Sequence, residues 1–178
     1  MSALLGVFSF DFNKRFNAFL YLLFAFALTT NTFSAGGSGG DNDGGNKISN
    51  YTKAHNLIKS AKKYEKKGKT EKAQKRYAKA QKLLLKSNKK EPLQADTLNY
   101  LGFTTRKLGD YEKGEEFYLQ GLQIEPNHKG INEYLGELYV VTGRMDMAKE
   151  RLEVLKTCNC EEYDELKEII EGTKKSKY

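Results

Sequence analysis

The sequence predicts an all-α protein, an α-solenoid of three helix pairs plus a C-terminal capping helix, and three observations carry that prediction. Apolar and small residues recur at intervals of three and four along most of the chain after residue 50, which is the spacing of one helix face. Equivalent residues also recur at a fixed interval of 34 positions, as in stacked helical units. The 178 residues include only two prolines, so few helices are interrupted.

Residues 1–35 are predicted to be a signal peptide. Lys14 and Arg15 precede an unbroken apolar run at residues 18–28, and small and polar residues follow it, which is the order of a secretory signal. The run has 11 residues, whereas a membrane-spanning helix needs about 20. We therefore expect cleavage at the end of this segment and a periplasmic or secreted protein of bacterial type. The alternative is an uncleaved N-terminal anchor that holds the rest of the chain outside the cytosol.

Residues 36–50 are predicted to be a flexible linker rich in Gly, Ser and Asp. Six of the chain's 16 glycines lie in its first ten positions, and the segment has no apolar periodicity. A phosphate-binding loop would end in Gly-Lys-Ser/Thr, which is missing from this segment. A calcium loop beginning at Asp41 would need glycine and glutamate where the chain has Asn46 and Thr52.

Residues 51–173 are predicted to form the repeat domain, in which each unit is two helices that turn at a glycine. Two units share small and apolar residues at an interval of 34 positions, namely Leu101, Gly102 and Gly109, then Leu135, Gly136 and Gly143. An earlier unit places Gly68 at 41 positions before Gly109. Seven additional residues therefore separate the first two units, and we assign them to a lengthened helix and the SNKKEP segment.

Small residues are expected where paired helices approach closely, because a neighbouring aromatic ring can fill the space beside them. On this basis Gly102 and Gly114 are predicted contact points, with Tyr118 and Tyr111 as the filling rings.

The stretch LNYLGFTTRKLGDYEKGEEFYLQGLQIEP, residues 98–126, resembles a tetratricopeptide repeat. The matching residues are Leu98, Leu101, Gly102, Gly109, Tyr111, Tyr118 and Pro126. Gly114 and Gly121 stand where that family usually has alanine. We place three repeats at about 54–87, 95–128 and 129–162, a cap at 161–172 and a basic tail at 174–178.

The predicted cap helix covers the last apolar face of the stack, as repeat proteins require. Tyr163, Leu166, Ile169 and Ile170 recur at spacings of three and four. Asn159 is the predicted N-cap of this helix, with Glu162 three residues later.

The resemblance implies a non-catalytic scaffold that binds a protein or peptide in a concave groove lined by the first helix of each pair. By register, the candidate contact residues are Lys62, Lys66, Asn99, Phe103, Arg106, Glu133, Tyr134 and Glu137. The carboxylate-clamp variant of the family expects lysine and asparagine where this chain has Ile58 and Lys62, which disfavours a cytosolic chaperone adaptor. For any one of these residues, the alternative is a solvated helix face.

Charge is divided unevenly along the chain and suggests a different kind of partner. Residues 47–91 hold 16 Lys or Arg against three Glu, whereas residues 92–178 hold 12 against 17 acidic residues. The alternative function is therefore an anionic-polymer or membrane-surface binder acting through the lysine-rich first repeat. No nucleic acid is expected as a partner outside the cytosol.

Residues suited to catalysis or metal binding are few. Cys158 and Cys160 are candidates for a disulfide in an oxidising compartment; the alternatives are two separate thiols or a thiol redox protein. His55 and His128 are the only histidines, and neither has a matched nucleophile in the sequence. We therefore predict no enzyme activity, no metal site and no cofactor.

Overall fold

The computed structural model describes residues 48–176, and this part of the chain contains seven helices and no strand. The helices are α1 (Asn50–Glu65), α2 (Thr70–Lys90), α3 (Ala95–Lys107), α4 (Tyr111–Ile124), α5 (Lys129–Val141), α6 (Met145–Leu155) and α7 (Glu161–Ile170). Consecutive helices pack as the pairs α1–α2, α3–α4 and α5–α6, and each pair contacts the next. The predicted all-α solenoid of three helix pairs with a capping helix is confirmed.

Each pair turns at a glycine whose backbone lies in the left-handed region. Gly68, Gly109 and Gly143 have φ values of 67°, 98° and 77°. A residue with a Cβ rarely adopts this conformation, so glycine at these three positions ends the first helix and allows the second to begin within a few residues.

Close approach of α3 and α4 depends on Gly102, as the sequence predicts. A Cβ at Gly102 would lie 2.5 Å from Cε1 of Tyr118, whose side chain is fully buried. The predicted role of Tyr111 is wrong, because its side chain is 38% exposed. Gly114 instead faces the α3 backbone, where a Cβ would lie 3.1 Å from the carbonyl oxygen of Gly102.

The additional residues between the first two units extend α2. This helix has 21 residues, seven more than the 14 of α4. It ends two residues before Pro92, whose ring disfavours helical backbone at the residue before it.

The capping helix α7 packs against α5 and α6 and buries Leu166 and Ile169. Gly136 of α5 provides the space, since a Cβ there would lie 2.5 Å from Cδ2 of Leu166. The predicted N-cap is wrong: Cys160 occupies that position, and Asn159 has a positive φ of 45° that turns the chain before the helix.

The predicted signal peptide and most of the predicted linker lie outside the described residues. Within those residues, α1 begins at Asn50, and the Ser49 side chain caps it by accepting a hydrogen bond from the backbone N–H of Thr52. No helix in residues 48–176 combines the length and apolar character needed to cross a membrane.

Candidate ligand-binding groove

The candidate groove is the surface formed by α1, α3 and α5, the first helices of the three pairs, together with α7 beside α5. The eight predicted contact residues lie on these first helices, with Lys66 directly after the end of α1. Lys66 is exposed and Lys62 is half-buried. The remaining six are buried, namely Asn99, Phe103, Arg106, Glu133, Tyr134 and Glu137.

An aromatic pair with one lysine forms the centre of the groove. The ring centroids of Phe103 and Tyr134 are 5.0 Å apart. Lys62 Nζ lies 4.6 Å from the Phe103 centroid and donates a 3.1 Å hydrogen bond to the Tyr134 hydroxyl. Burial, with a further contribution from Glu133, raises the pKa of Tyr134, so its phenol stays protonated. These contacts join one residue from each first helix.

Arg106 and Glu137 form a buried ion pair between the second and third helix pairs. Arg106 Nη2 lies 3.4 Å from Glu137 Oε2, and Nη1 donates to the backbone carbonyl of Tyr134. Burial lowers the pKa of Arg106, while nearby Tyr118 and Glu137 oppose that shift. Sequence register predicts Arg106 only as a groove residue. In the structure, Arg106 also joins the second helix pair to the third.

Acidic side chains gather where α5 meets α7. Glu133 and Glu137 lie one turn apart on α5, and carboxylate oxygens of these two residues and of Glu165 on α7 lie within 4.8 Å of one another. Helical register did not mark Glu165 as a groove residue. The signal that identifies it is its neighbour Leu166, whose burial directs that side of α7 towards α5. Glu137 of this cluster also pairs with Arg106, and Glu165 pairs with Lys174.

A cavity of about 690 Å³ lies between α1, α3 and α7, and Glu165 of the acidic cluster also lines it. Its lining residues are Lys62, Glu65, Lys66, Thr70, Phe103, Lys107, Glu165 and Ser176. Lys107 Nζ pairs with Glu65 Oε1 at 2.7 Å. The volume lies within the range of about 300–1,000 Å³ that is usual for ligand sites.

The first helix pair carries a large excess of exposed lysine. Many of these ammonium groups have no ion-pair partner among residues 48–176. They are Lys53, Lys59, Lys63, Lys66, Lys67, Lys69, Lys72, Lys79, Lys82, Lys86 and Lys89. We call these residues the lysine face.

Cys158 and Cys160 are joined by a disulfide in the turn between α6 and α7, with their Cα atoms 5.2 Å apart. The bond closes the segment that leads from the third helix pair into the capping helix. His128 lies elsewhere, at the N-cap of α5, where its Nδ1 accepts a hydrogen bond from the backbone N–H of Ile131. That bond gives His128 a structural role at the start of α5.

A family model matches the second helix pair. Residues 95–128 match the model described as a tetratricopeptide repeat. This chain contains a tetratricopeptide repeat. The matched span begins with α3 and ends at the N-cap of α5, so it contains one complete helix pair and the turn that follows.

Two solved structures are similar to this chain. One is the first TPR of Spaghetti (RPAP3) bound to the HSP90 peptide SRMEEVD, with 20% identity, coverage of 69% of this chain and 94% of that chain, and a TM-score of 0.45. The other is the CopN-Scc3 complex, with 18% identity, coverage of 75% and 80%, and a TM-score of 0.45. No curated protein sequence matches significantly. At these levels of similarity, neither solved structure bears on the ligand of this protein.

Proposed function

We propose that this protein is a non-catalytic scaffold that binds a polypeptide partner in the groove. The observation that carries the proposal is an open cavity of about 690 Å³ that is lined by Phe103 of the aromatic pair and by charged groups of both signs. An extended polypeptide has the matching chemistry, since it offers apolar side chains, charged side chains and backbone polar groups along one line.

The distribution of charge along the groove would set the direction of the bound polypeptide. Lys62, Lys66 and Lys107 line the cavity together with Glu65 and Glu165, whereas Glu133 and Glu137 lie on α5 of the third helix pair. Complementary charge mainly selects partners and their orientation rather than adding affinity. We therefore expect specificity to depend on the order of acidic and basic residues in the partner.

The groove proposal is tested by reversing one charge inside the cavity and one outside it. Lys66→Glu changes an exposed cavity residue, and Lys79→Glu changes an exposed lysine of α2 that does not line the cavity. We expect Lys66→Glu to weaken binding of a partner isolated with the unaltered protein by about fivefold, which is about 1 kcal/mol, as measured by calorimetry. Lys79→Glu should leave the affinity unchanged. Equal affinities for both variants and the unaltered protein would contradict the groove as the binding site.

We further propose that the protein works in a bacterial-type periplasm or cell envelope. Two features support this location: the basic, apolar and small-residue order of residues 1–35, and the bonded pair Cys158 and Cys160, since disulfides persist in oxidising compartments. Cell fractionation with mass spectrometry of the mature N-terminus tests it. We expect the envelope fraction to hold the protein and its N-terminus to lie near residue 35; a cytosolic, unprocessed protein would contradict the proposal.

The lysine face supports a second candidate function, binding to an anionic polymer or membrane surface. Its ammonium groups are exposed and lack acidic partners in the described part of the chain, so they remain available to phosphate or carboxylate groups. Co-sedimentation with vesicles containing anionic lipid tests this function. Binding that falls steeply with salt and is weakened by Lys79→Glu would favour the lysine face. Binding only to vesicles without anionic lipid, or no binding, would exclude it.

A further inference from the structure

A second cavity, of about 490 Å³, lies where α3, the turn between α4 and α5, and α7 meet. We call it the junction pocket. Its lining includes four carboxylates, Asp96, Glu125, Glu133 and Glu162, against one lysine, Lys129. The carboxylates come from different elements, so the surrounding charge is negative on several sides.

Asn99 places an unused polar group in the same pocket. It lines the cavity, its residue is only 5% exposed, and its Oδ1 is buried without a hydrogen-bond partner. Buried polar atoms in folded proteins are almost always paired, so an orphaned one needs an explanation. A ligand donor that enters the pocket would supply the missing partner.

Gly130, at the start of α5, leaves room for the Asn99 amide. A Cβ at this position would lie 2.8 Å from Asn99 Nδ2, which is too close for the amide to stay in place. The absence of a side chain at residue 130 therefore keeps a buried amide at the pocket wall.

The spacing of the carboxylates distinguishes between kinds of cation. Among residues 48–176, the acidic groups that converge on one point are Glu133, Glu137 and Glu165, and only Glu133 of these lines the junction pocket. A calcium ion needs its oxygen ligands at about 2.3–2.6 Å from one centre. A guanidinium group instead spreads five N–H donors over a plane and can bond acceptors that lie apart.

We propose that the junction pocket binds the guanidinium group of an arginine in the polypeptide that occupies the groove. The inference rests on the proposed function, because it assigns one side chain of that polypeptide. Asn99 and Glu133 belong to the groove residues assigned by register and also line the pocket, which places the pocket beside the groove. Asn99 Oδ1 accepts one N–H, and Glu133 and Glu162 compensate the positive charge.

The direct test is an NMR titration of the isotope-labelled protein with N-acetyl-arginine methylamide. The control ligand is the citrulline analogue, which has a similar shape and no charge. We expect saturable shifts at the Gly130 backbone amide and the Asn99 side-chain amide, and an affinity about tenfold higher for arginine than for citrulline. Equal affinities, or arginine shifts confined to other residues, would overturn the proposal. Saturable shifts of these two amides with calcium chloride and none with arginine would replace it with a metal site.

Two variants with controls confirm which groups bind the probe. Glu162→Gln should weaken arginine binding by about threefold, while Glu161→Gln, on the same helix but outside the pocket lining, should not change it. Asn99→Leu should weaken it by about tenfold without lowering the unfolding midpoint, since no hydrogen bond is removed from Asn99 Oδ1. Unchanged binding in both Glu162→Gln and Asn99→Leu would overturn the assignment.

The titration separates failure of this inference from failure of the groove proposal. If arginine does not bind while Lys66→Glu still weakens the polypeptide, the groove stands and the junction pocket does not. If the arginine probe binds as expected while Lys66→Glu changes nothing, the junction pocket stands and the groove assignment fails.

Discussion

The first and second helix pairs place different chemistry at equivalent positions. Glu65 and Arg106 are 41 positions apart and occupy the same place in their repeats. The Glu65 side chain is 29% exposed and pairs with Lys107, whereas the Arg106 side chain is 1% exposed and pairs with the buried Glu137. At the helix contact, the first pair has the buried Ala61 where the second has Gly102.

One backbone arrangement is therefore held together in two ways. The first pair packs through buried alanines and keeps its charges near solvent, which leaves its outer surface free to carry the lysine face. In the second pair, α3 and α4 approach at Gly102, and a buried ion pair between Arg106 and Glu137 joins this pair to the third. We expect the junction of the second and third pairs to be more sensitive to substitution than the first pair.

The largest expected effect comes from breaking the buried ion pair. Arg106→Ala should lower the free energy of unfolding by about 3–5 kcal/mol, because Glu137 would keep a buried charge without this partner. Glu65→Ala, the equivalent change in the first pair, should cost less, about 1–2 kcal/mol, because the Glu65 side chain is 29% exposed. The change removes the ion pair with Lys107 and the hydrogen bond that Glu65 accepts from the Tyr77 hydroxyl. Urea unfolding followed by circular dichroism measures both. Equal losses for the two variants would contradict the comparison.

The next effect concerns the helix contacts. Gly102→Ala should lower the free energy of unfolding by about 1–2 kcal/mol, because the new Cβ would overlap the Tyr118 ring. The cost of that overlap should exceed the stabilisation that alanine gains from its higher helix propensity. Ala61→Gly should also cost about 1 kcal/mol, through lower helix propensity and a lost buried methyl group. Thermal unfolding compares them. Stabilisation by Gly102→Ala would show that the second pair does not need its close approach.

Removing the disulfide near the C-terminal end should lower the free energy of unfolding by a similar or smaller amount. Cys158→Ser should lower the free energy of unfolding by roughly 1.5 kcal/mol, from the loss of a very short closed loop. Dithiothreitol should shift the unaltered protein by the same amount and leave Cys158→Ser unchanged. A reductant effect on the variant would mean that another group is responsible.

The smallest effect is a pH dependence that arises in the first pair. Burial first, and then Lys59 and Lys62, lower the pKa of His55 below its ordinary value of 6.5. The unfolded chain therefore binds this proton more readily, so stability is lost as pH falls through about 6.5 and below. Unfolding midpoints between pH 7.5 and pH 5.5, compared with those of His55→Gln, isolate this contribution. An equally steep fall in the variant would assign it to other groups.

The fold follows from features that are local in sequence. The turns at Gly68, Gly109 and Gly143 and the repeat interval are visible without coordinates, because each reflects backbone geometry within one unit. The Gly102–Tyr118 contact was predictable for the same reason, since both residues belong to one helix pair.

The site was less predictable because its contacts cross between units. Register places Arg106 on a groove helix but does not show that its guanidinium meets Glu137 on the next pair. Glu165 reaches the groove through the docking of α7, which depends on Gly136 and Leu166 together. The roles predicted for Tyr111 and Asn159 were wrong because a residue pattern does not show the surrounding geometry. The position of the neighbouring helix leaves Tyr111 exposed, and the turn of the backbone at Asn159 moves the N-cap to the next residue.

The seven additional residues of α2 rotate the chain by close to two full turns, about 20° short at 3.6 residues per turn. A helix lengthened by that amount keeps nearly the same side towards its neighbours, whereas five more residues would swing it by about 140°. Insertions and deletions of a heptad are therefore the length changes that α2 can accept while its inward-facing residues stay in phase.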